Sequence, residues 1–138
     1  MRKTPRTDLS DVETLFAALS EATRLRLLSL MAAGEICVCF FVDILDQPQP
    51  TISRHLAYLR KSGLVADRRD GKWIHYRITP PADPICRQLL DSTLAAIAQE
   101  DIIRQDRKAL RTACCSPRAA EIIRRAPKPN AIAPESQI

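Results

Sequence analysis

Apolar residues fall along this chain in helical stripes separated by short polar turns, and the stripes predict most of its elements. Leu9, Val12, Leu15, Phe16 and Leu19 recur at helical spacing behind Asp8, a good N-cap, so a first helix is expected over residues 8–18. Leu25, Leu27, Leu28, Leu30 and Met31 mark a second over 21–33, ended by Gly34, which tolerates positive φ. The apolar run 40–45 predicts a short third helix, and Asp46-Gln47-Pro48-Gln49-Pro50 a turn. Pro50 suits the first position of the next helix, where its missing N–H costs nothing. Over 50–62, Ile52, Leu56 and Leu59 form a core stripe, Thr51, Arg54, Tyr58 and Lys61 lie off it, and Gly63 closes the helix.

Two strands are expected next, 64–69 and 73–78, joined at Asp70-Gly71, a pair whose tolerance of positive φ signals a hairpin. Pro80, Pro81 and Pro84 interrupt the chain. One long helix is then expected over 83–110, with Ile85, Leu89, Leu90, Leu94, Ile97 and Ile102 as its apolar residues. The segment from 126 has three prolines among thirteen residues and no periodicity, so disorder is expected there. The expected class is mainly α with a β-hairpin.

At 138 residues, 46% hydrophobic and 27% charged, the composition is that of one ordinary globular domain. No apolar run approaches the ~20 residues that span a bilayer. The basic start, Met1-Arg2-Lys3-Thr4-Pro5-Arg6, has no apolar stretch behind it, so no signal peptide and a cytoplasmic location are expected. The net charge of +5 decides little until it is located. Residues 47–80 hold Arg54, Arg60, Lys61, Arg68, Arg69, Lys72 and Arg77 against Asp67 and Asp70, so that stretch alone carries +5.

Short helix, turn, amphipathic helix, basic hairpin: this order is a helix-turn-helix with a wing. A solvated polar face would explain any one of these features; their order is what points to DNA. Side chains early on the second helix of such a motif reach base edges in the major groove. Gln49, Thr51, Ser53 and Arg54 stand there, with Arg54 suited to guanine and Gln49 to adenine. Tyr58 and Lys61 extend this face, although Tyr58, like Trp73, also reads as a packing residue with a polar edge. Arg68, Arg69 and Lys72 put charge on the hairpin, near flanking phosphates or the minor groove. His55, beside Leu56, reads as structural.

Five cysteines without a secretion signal point to metal or redox chemistry rather than a disulfide scaffold. With only His55 and His75 available, any metal site must be a thiolate site, with carboxylate help at most. Cys37-Val38-Cys39 lies about ten residues before the second helix of the motif, and thiolates favour thiophilic ions. Residues two apart on a helix point about 200° apart, so two such sulfurs share an ion only if the helix start unwinds. Ion binding is therefore expected to deform the first helix of the motif and misalign the second. Cys114-Cys115, between Arg111 and Arg118, is either a source of further ligands or a separate reactive site. Cys86, near Ile85 and Leu89, reads as a small packed residue.

Three segments carry a resemblance: Glu35-Ile36-Cys37-Val38-Cys39, then Gln49 through Val65, then Arg69 through Arg77. Together they resemble the ArsR family of bacterial metalloregulatory repressors, over residues 12–94. The resemblance implies a dimeric winged helix-turn-helix repressor, paired through its first and last long helices, that leaves double-stranded operator DNA when a thiophilic ion binds. Cys37 and Cys39 resemble the cysteine pair of arsenic- and antimony-sensing members, and the matching pair of cadmium- and lead-sensing relatives. The arsenic pattern continues to a third cysteine three residues on, where this chain has Val42. A third sulfur would then come from Cys86 or Cys114-Cys115, or none is used; two thiols suffice for a monomethylated arsenical. The expected inducers are arsenite, antimonite or a methylated trivalent arsenical, with no permanent cofactor, no enzymatic activity and no membrane partner. The implied division is a basic arm (1–7), a DNA-binding and dimerisation domain (8–112), and a cysteine-pair segment with tail (113–138). The alternatives are a repressor of the same fold sensing cadmium, lead, or redox and sulfur species. A thiol enzyme is disfavoured, since the chain has no Cys-x-x-Cys and no general base beside a cysteine.

Overall fold

The computed structural model describes residues 7–115, with the backbone alone for Cys114 and Cys115. Residues 1–6 of the expected arm (1–7) and residues 116–138 of the expected C-terminal segment (113–138) lie outside the described residues. Asp8 caps α1 (Leu9–Leu19), its carboxylate accepting the Ser10 N–H at 3.1 Å. Glu21 does the same for α2 (Ala22–Met31) through the Arg24 N–H. Leu27, Leu28 and Leu30 of α2 are fully buried and form the spine of the core.

Gly34, at φ 139°, turns the chain into β1 (Ile36–Cys37), and α3 (Val38–Leu45) follows without a break. Asp46 ends α3 in the left-handed region, φ 53°, which a short polar side chain tolerates. The turn is pinned to α2 where Gln47 Nε2 donates to Thr23 Oγ1 at 3.2 Å. α4 (Gln49–Lys61) starts one residue earlier than the proline suggested. Pro50 is its second residue, still among the positions whose N–H has no helical partner. Ile52, Leu56 and Leu59 are fully buried, so α4 packs on α2 and α3 by the predicted stripe.

β2 (Val65–Asp70) and β3 (Trp73–Ile78) form the expected hairpin, but the turn differs. Asp70 pairs with Trp73, so the loop is Gly71-Lys72, and Gly71 alone has positive φ, 62°. Glycine at the first central position is the type II′ pattern, whose twist matches the strands as type I′ would. The sheet order is β1-β3-β2, antiparallel throughout. β1 was not anticipated, because two residues are too few to show a period.

The expected long helix is two: α5 (Pro84–Ile97) and α6 (Asp101–Cys115). Continuing the α5 stripe past Ile97 would turn Asp101, Arg104 and Lys108 inward. The chain breaks at residues 98–100, and α6 packs on α2 and α3, with Ile103, Asp106, Leu110 and Ala113 buried along it. Asp106 is 3% exposed and takes a two-pronged ion pair from Arg26 of α2, Nε–Oδ2 2.8 Å and Nη2–Oδ1 2.9 Å. The architecture is a winged helix-turn-helix, α3 and α4 forming the motif and β2–β3 the wing. Among the described residues no helix is long and apolar enough to cross a membrane.

Candidate thiol site and nucleic-acid interface

The core stripe of α4 fixes which side chains face outward. Gln49, Ser53, Arg54, Tyr58 and Lys61 are exposed and Thr51 is half-buried. Arg24 of α2 anchors the inner border of this face. Its guanidinium donates to the carbonyls of Ala18 (2.8 Å) and Ala17 (3.0 Å) at the end of α1. It also lies 3.3 Å from His55 Nδ1 and 4.2 Å from the Tyr58 ring centre. Tyr58 therefore has one ring face covered by a cation, and His55 is structural, as its place beside Leu56 suggested.

On the wing, Arg68, Arg69 and Lys72 are exposed, with the Lys72 ammonium 5.2 Å from the Trp73 ring centre. Arg68 is already engaged: its Nη2 donates to Glu35 Oε1 at 2.7 Å and its Nε reaches both carboxylate oxygens at 3.2 Å. This pairing holds the Glu35 carboxyl below the usual carboxylate range. Sequence reading missed it, because only the strand register brings residues 35 and 68 together.

Cys37 is not in a helix. It is the N-cap of α3, extended at φ −71° and ψ 141°, while Cys39 is in the first turn. The divergence of about 200° expected of two helical residues therefore does not arise. The strand-to-helix junction turns both side chains the same way, and Cys39 Sγ donates to Cys37 Sγ at 3.3 Å. The pair needs no unwinding to share a ligand. Cys37 is fully buried and Cys39 half-buried.

The Cys39 S–H lowers the Cys37 thiol to about 6, and the N–H groups of Cys39, Ile74 and Val38 act in the same direction. They do so as nearby dipoles, since Cys37 Sγ makes no capping hydrogen bond of normal geometry. Cys39, as the donor in a buried setting, is pushed well above an ordinary thiol. The pair thus shares one proton near neutrality, a property of both sulfurs together.

Among the described residues no third Cys, His, Asp or Glu completes a metal cluster with the pair. Val42 packs against the core, and Cys86 is buried in α5, its thiol pushed up by burial. The side chains of Cys114 and Cys115 lie outside the described residues. The donor set is two soft sulfurs, which fits a thiophilic ion with few protein ligands.

An outward polar face on the second helix, a basic wing and a turn pinned to the core define a winged helix-turn-helix DNA-binding protein; this one carries a dithiol where its first motif helix begins. Residues 21–67 match the family described as bacterial regulatory protein, arsR family. The chain is 49% identical over 78 residues to the arsenical resistance operon repressor of Escherichia coli, covering 56% of this chain and 67% of that one. It is 44% identical over 86 residues to an arsenic resistance transcriptional regulator of Pseudomonas putida, covering 62% and 75%. This chain belongs to the ArsR family of bacterial regulators, which are transcription factors and not enzymes. Among solved structures, the transcriptional repressor BigR of Xylella fastidiosa superposes with a TM-score of 0.57 at 32% identity, over 67% of this chain and 88% of that one.

Proposed function

We propose that this chain is a homodimeric, cytoplasmic repressor that leaves its operator when a trivalent arsenical or antimonite binds Cys37 and Cys39. The observation that carries this reading is the 3.3 Å sulfur pair at the start of α3, one thiol buried and the other half-buried. The two soft sulfurs face each other without any unwinding of α3, so one thiophilic ion can bridge them. A donor set of only two thiolates suits a trivalent metalloid, which needs fewer protein ligands than zinc in its four-coordinate structural sites. Each thiol that binds displaces one hydroxyl of the metalloid acid as water. Two thiols then leave one position for a hydroxyl, a methyl group, or a sulfur of Cys114 or Cys115.

Gln49, Thr51, Ser53 and Arg54 are assigned to the major groove, with Tyr58 and Lys61 beside them and Arg68, Arg69 and Lys72 on flanking phosphates. Dimerisation is supported by large apolar side chains left exposed on the helices concerned: Leu9 at 83% and Phe16 at 50% on α1, Ile85 at 51% on α5. Such residues on a small domain are those a second copy would cover.

The test is operator binding by fluorescence anisotropy, titrated separately with arsenite, antimonite, methylated trivalent arsenic, cadmium and zinc. Release by the trivalent metalloids, abolished in Cys37→Ser, is the expected result. A Cys37→Ser protein that responds like wild type overturns the site, and release by a mild oxidant alone favours redox sensing. Loss of the arsenite response but not the methylarsenite response in Cys114→Ser/Cys115→Ser would assign the third sulfur to that pair.

A further inference from the structure

The strand that carries Cys37 is also a strand of the wing sheet. β1 pairs with β3 at Ile36↔Tyr76 and Cys37↔His75, and β3 pairs with β2 at Tyr76↔Asp67 and His75↔Arg68. Cys37, His75 and Arg68 therefore lie in one cross-strand row, and directly paired residues project from the same face of a sheet. Neighbouring residues of a strand point to opposite faces, and the two central residues of β2 use both. Asp67 accepts from Arg60 Nη1 at 2.9 Å, tying one face of β2 to the last turn of α4. Arg68 is tied on the other face to Glu35, two residues before the buried thiol.

These pairs are too exposed to add much stability. Their effect is on orientation: β2 is clamped between the recognition helix and the thiol strand. We propose that Glu35 is a positioning residue that couples the thiol site to DNA through the wing, holding Arg68 and β2 in the orientation the operator requires. This inference rests on the metalloid-release reading above and adds the route by which release occurs. A ligand that draws the two sulfurs shifts β1, and the Glu35–Arg68 pair carries that shift to the wing.

Trp73, the only tryptophan in the chain, begins β3 and is half-buried, so its emission reports on the wing without DNA. The experiment compares wild type, Glu35→Gln and the charge swap Glu35→Arg/Arg68→Glu. Three quantities are read: arsenite affinity from the ultraviolet sulfur–metalloid absorbance, the arsenite-induced change in Trp73 emission, and the ratio of operator affinities without and with arsenite. In Glu35→Gln, arsenite affinity should stay within twofold of wild type, while the emission change and the affinity ratio each fall at least fivefold. The swap should restore the ratio while binding all DNA sequences more weakly, because Arg68 is lost from the phosphates. A wild-type ratio and emission change in Glu35→Gln would overturn the proposal. So would a large loss of arsenite affinity in that variant, which would make Glu35 part of the ligand site instead. Wild-type protein that binds arsenite but keeps its operator would overturn the release reading itself, an outcome visible before any variant is made.

Discussion

Replacing Asp106 by alanine removes one partner of the ion pair that docks α6 on α2. Arg26 would be left with a side chain only 19% exposed, both hydrogen bonds to Asp106 gone. Breaking a fully buried pair costs roughly 3–5 kcal/mol. Arg26 keeps some access to water, so a loss of about 3 kcal/mol is expected, at the lower end of that range. For a domain of this size that corresponds to a fall in Tm of more than ~10 °C. Urea denaturation followed by circular dichroism, at one fixed protein concentration so that any self-association contributes equally, measures the difference. The double variant Arg26→Met/Asp106→Leu keeps the packing and removes both charges, and should come within about 1 kcal/mol of wild type. A cost below about 1 kcal/mol for Asp106→Ala would mean that the pair is solvated. The return of α6 onto α2, and with it the break after Ile97, would then be refuted.

Thiolate absorbance in the ultraviolet, in a protein retaining only Cys37 and Cys39, should rise as pH passes through about 6, because the thiolate exists above that value and is lost below it. Cys39→Ala removes the S–H donor and should move the midpoint upward; an unmoved midpoint would show that the sulfurs do not share a proton. Arg54→Ala should weaken the specific operator by about 1–3 kcal/mol with little change on random DNA, whereas Lys61→Ala should weaken both alike and lower the salt slope by about 1. Equal losses on both DNAs for Arg54→Ala would remove it from base recognition. Leu56→Ala, at a fully buried position beneath the recognition face, should cost about 2–5 kcal/mol in denaturant unfolding; a negligible cost would place that stripe on the surface.

Periodicity alone located α1 to α4 and the hairpin, because each has a stripe or turn residue whose physics is local. Ile52, Leu56 and Leu59 had to share one face, and Gly71 had to turn. What escaped was set by distant partners. Asp106 reads as a surface residue until Arg26, eighty positions away in sequence, is placed against it. The α5–α6 break could have been suspected from the stripe itself, which slips from Ile97 to Ile102 and cannot lie on one face; after the break it is Ile103 that is buried, and Ile102 is exposed. At the thiol site the residue types were legible and the geometry was not. Treating Cys37 as helical made the pair look divergent, whereas its pairing with His75 holds it extended. Glu35 gave no signal at all, since its partner is defined by strand register.

The wing's outer strand bears on behaviour far from any operator. β2 is a sheet edge, and an edge strand exposes unpaired N–H and C=O groups to which another chain can add. Its four exposed residues, Asp67-Arg68-Arg69-Asp70, are all charged and of both signs. Charge along an edge discourages strand addition between molecules. At the opposite edge β1 is only two residues long and offers little to pair with. Exchanging Arg68 and Arg69 for apolar residues should therefore lower solubility as well as weaken DNA binding. The charges that suit this wing to phosphates also keep its edge from becoming a template for other chains.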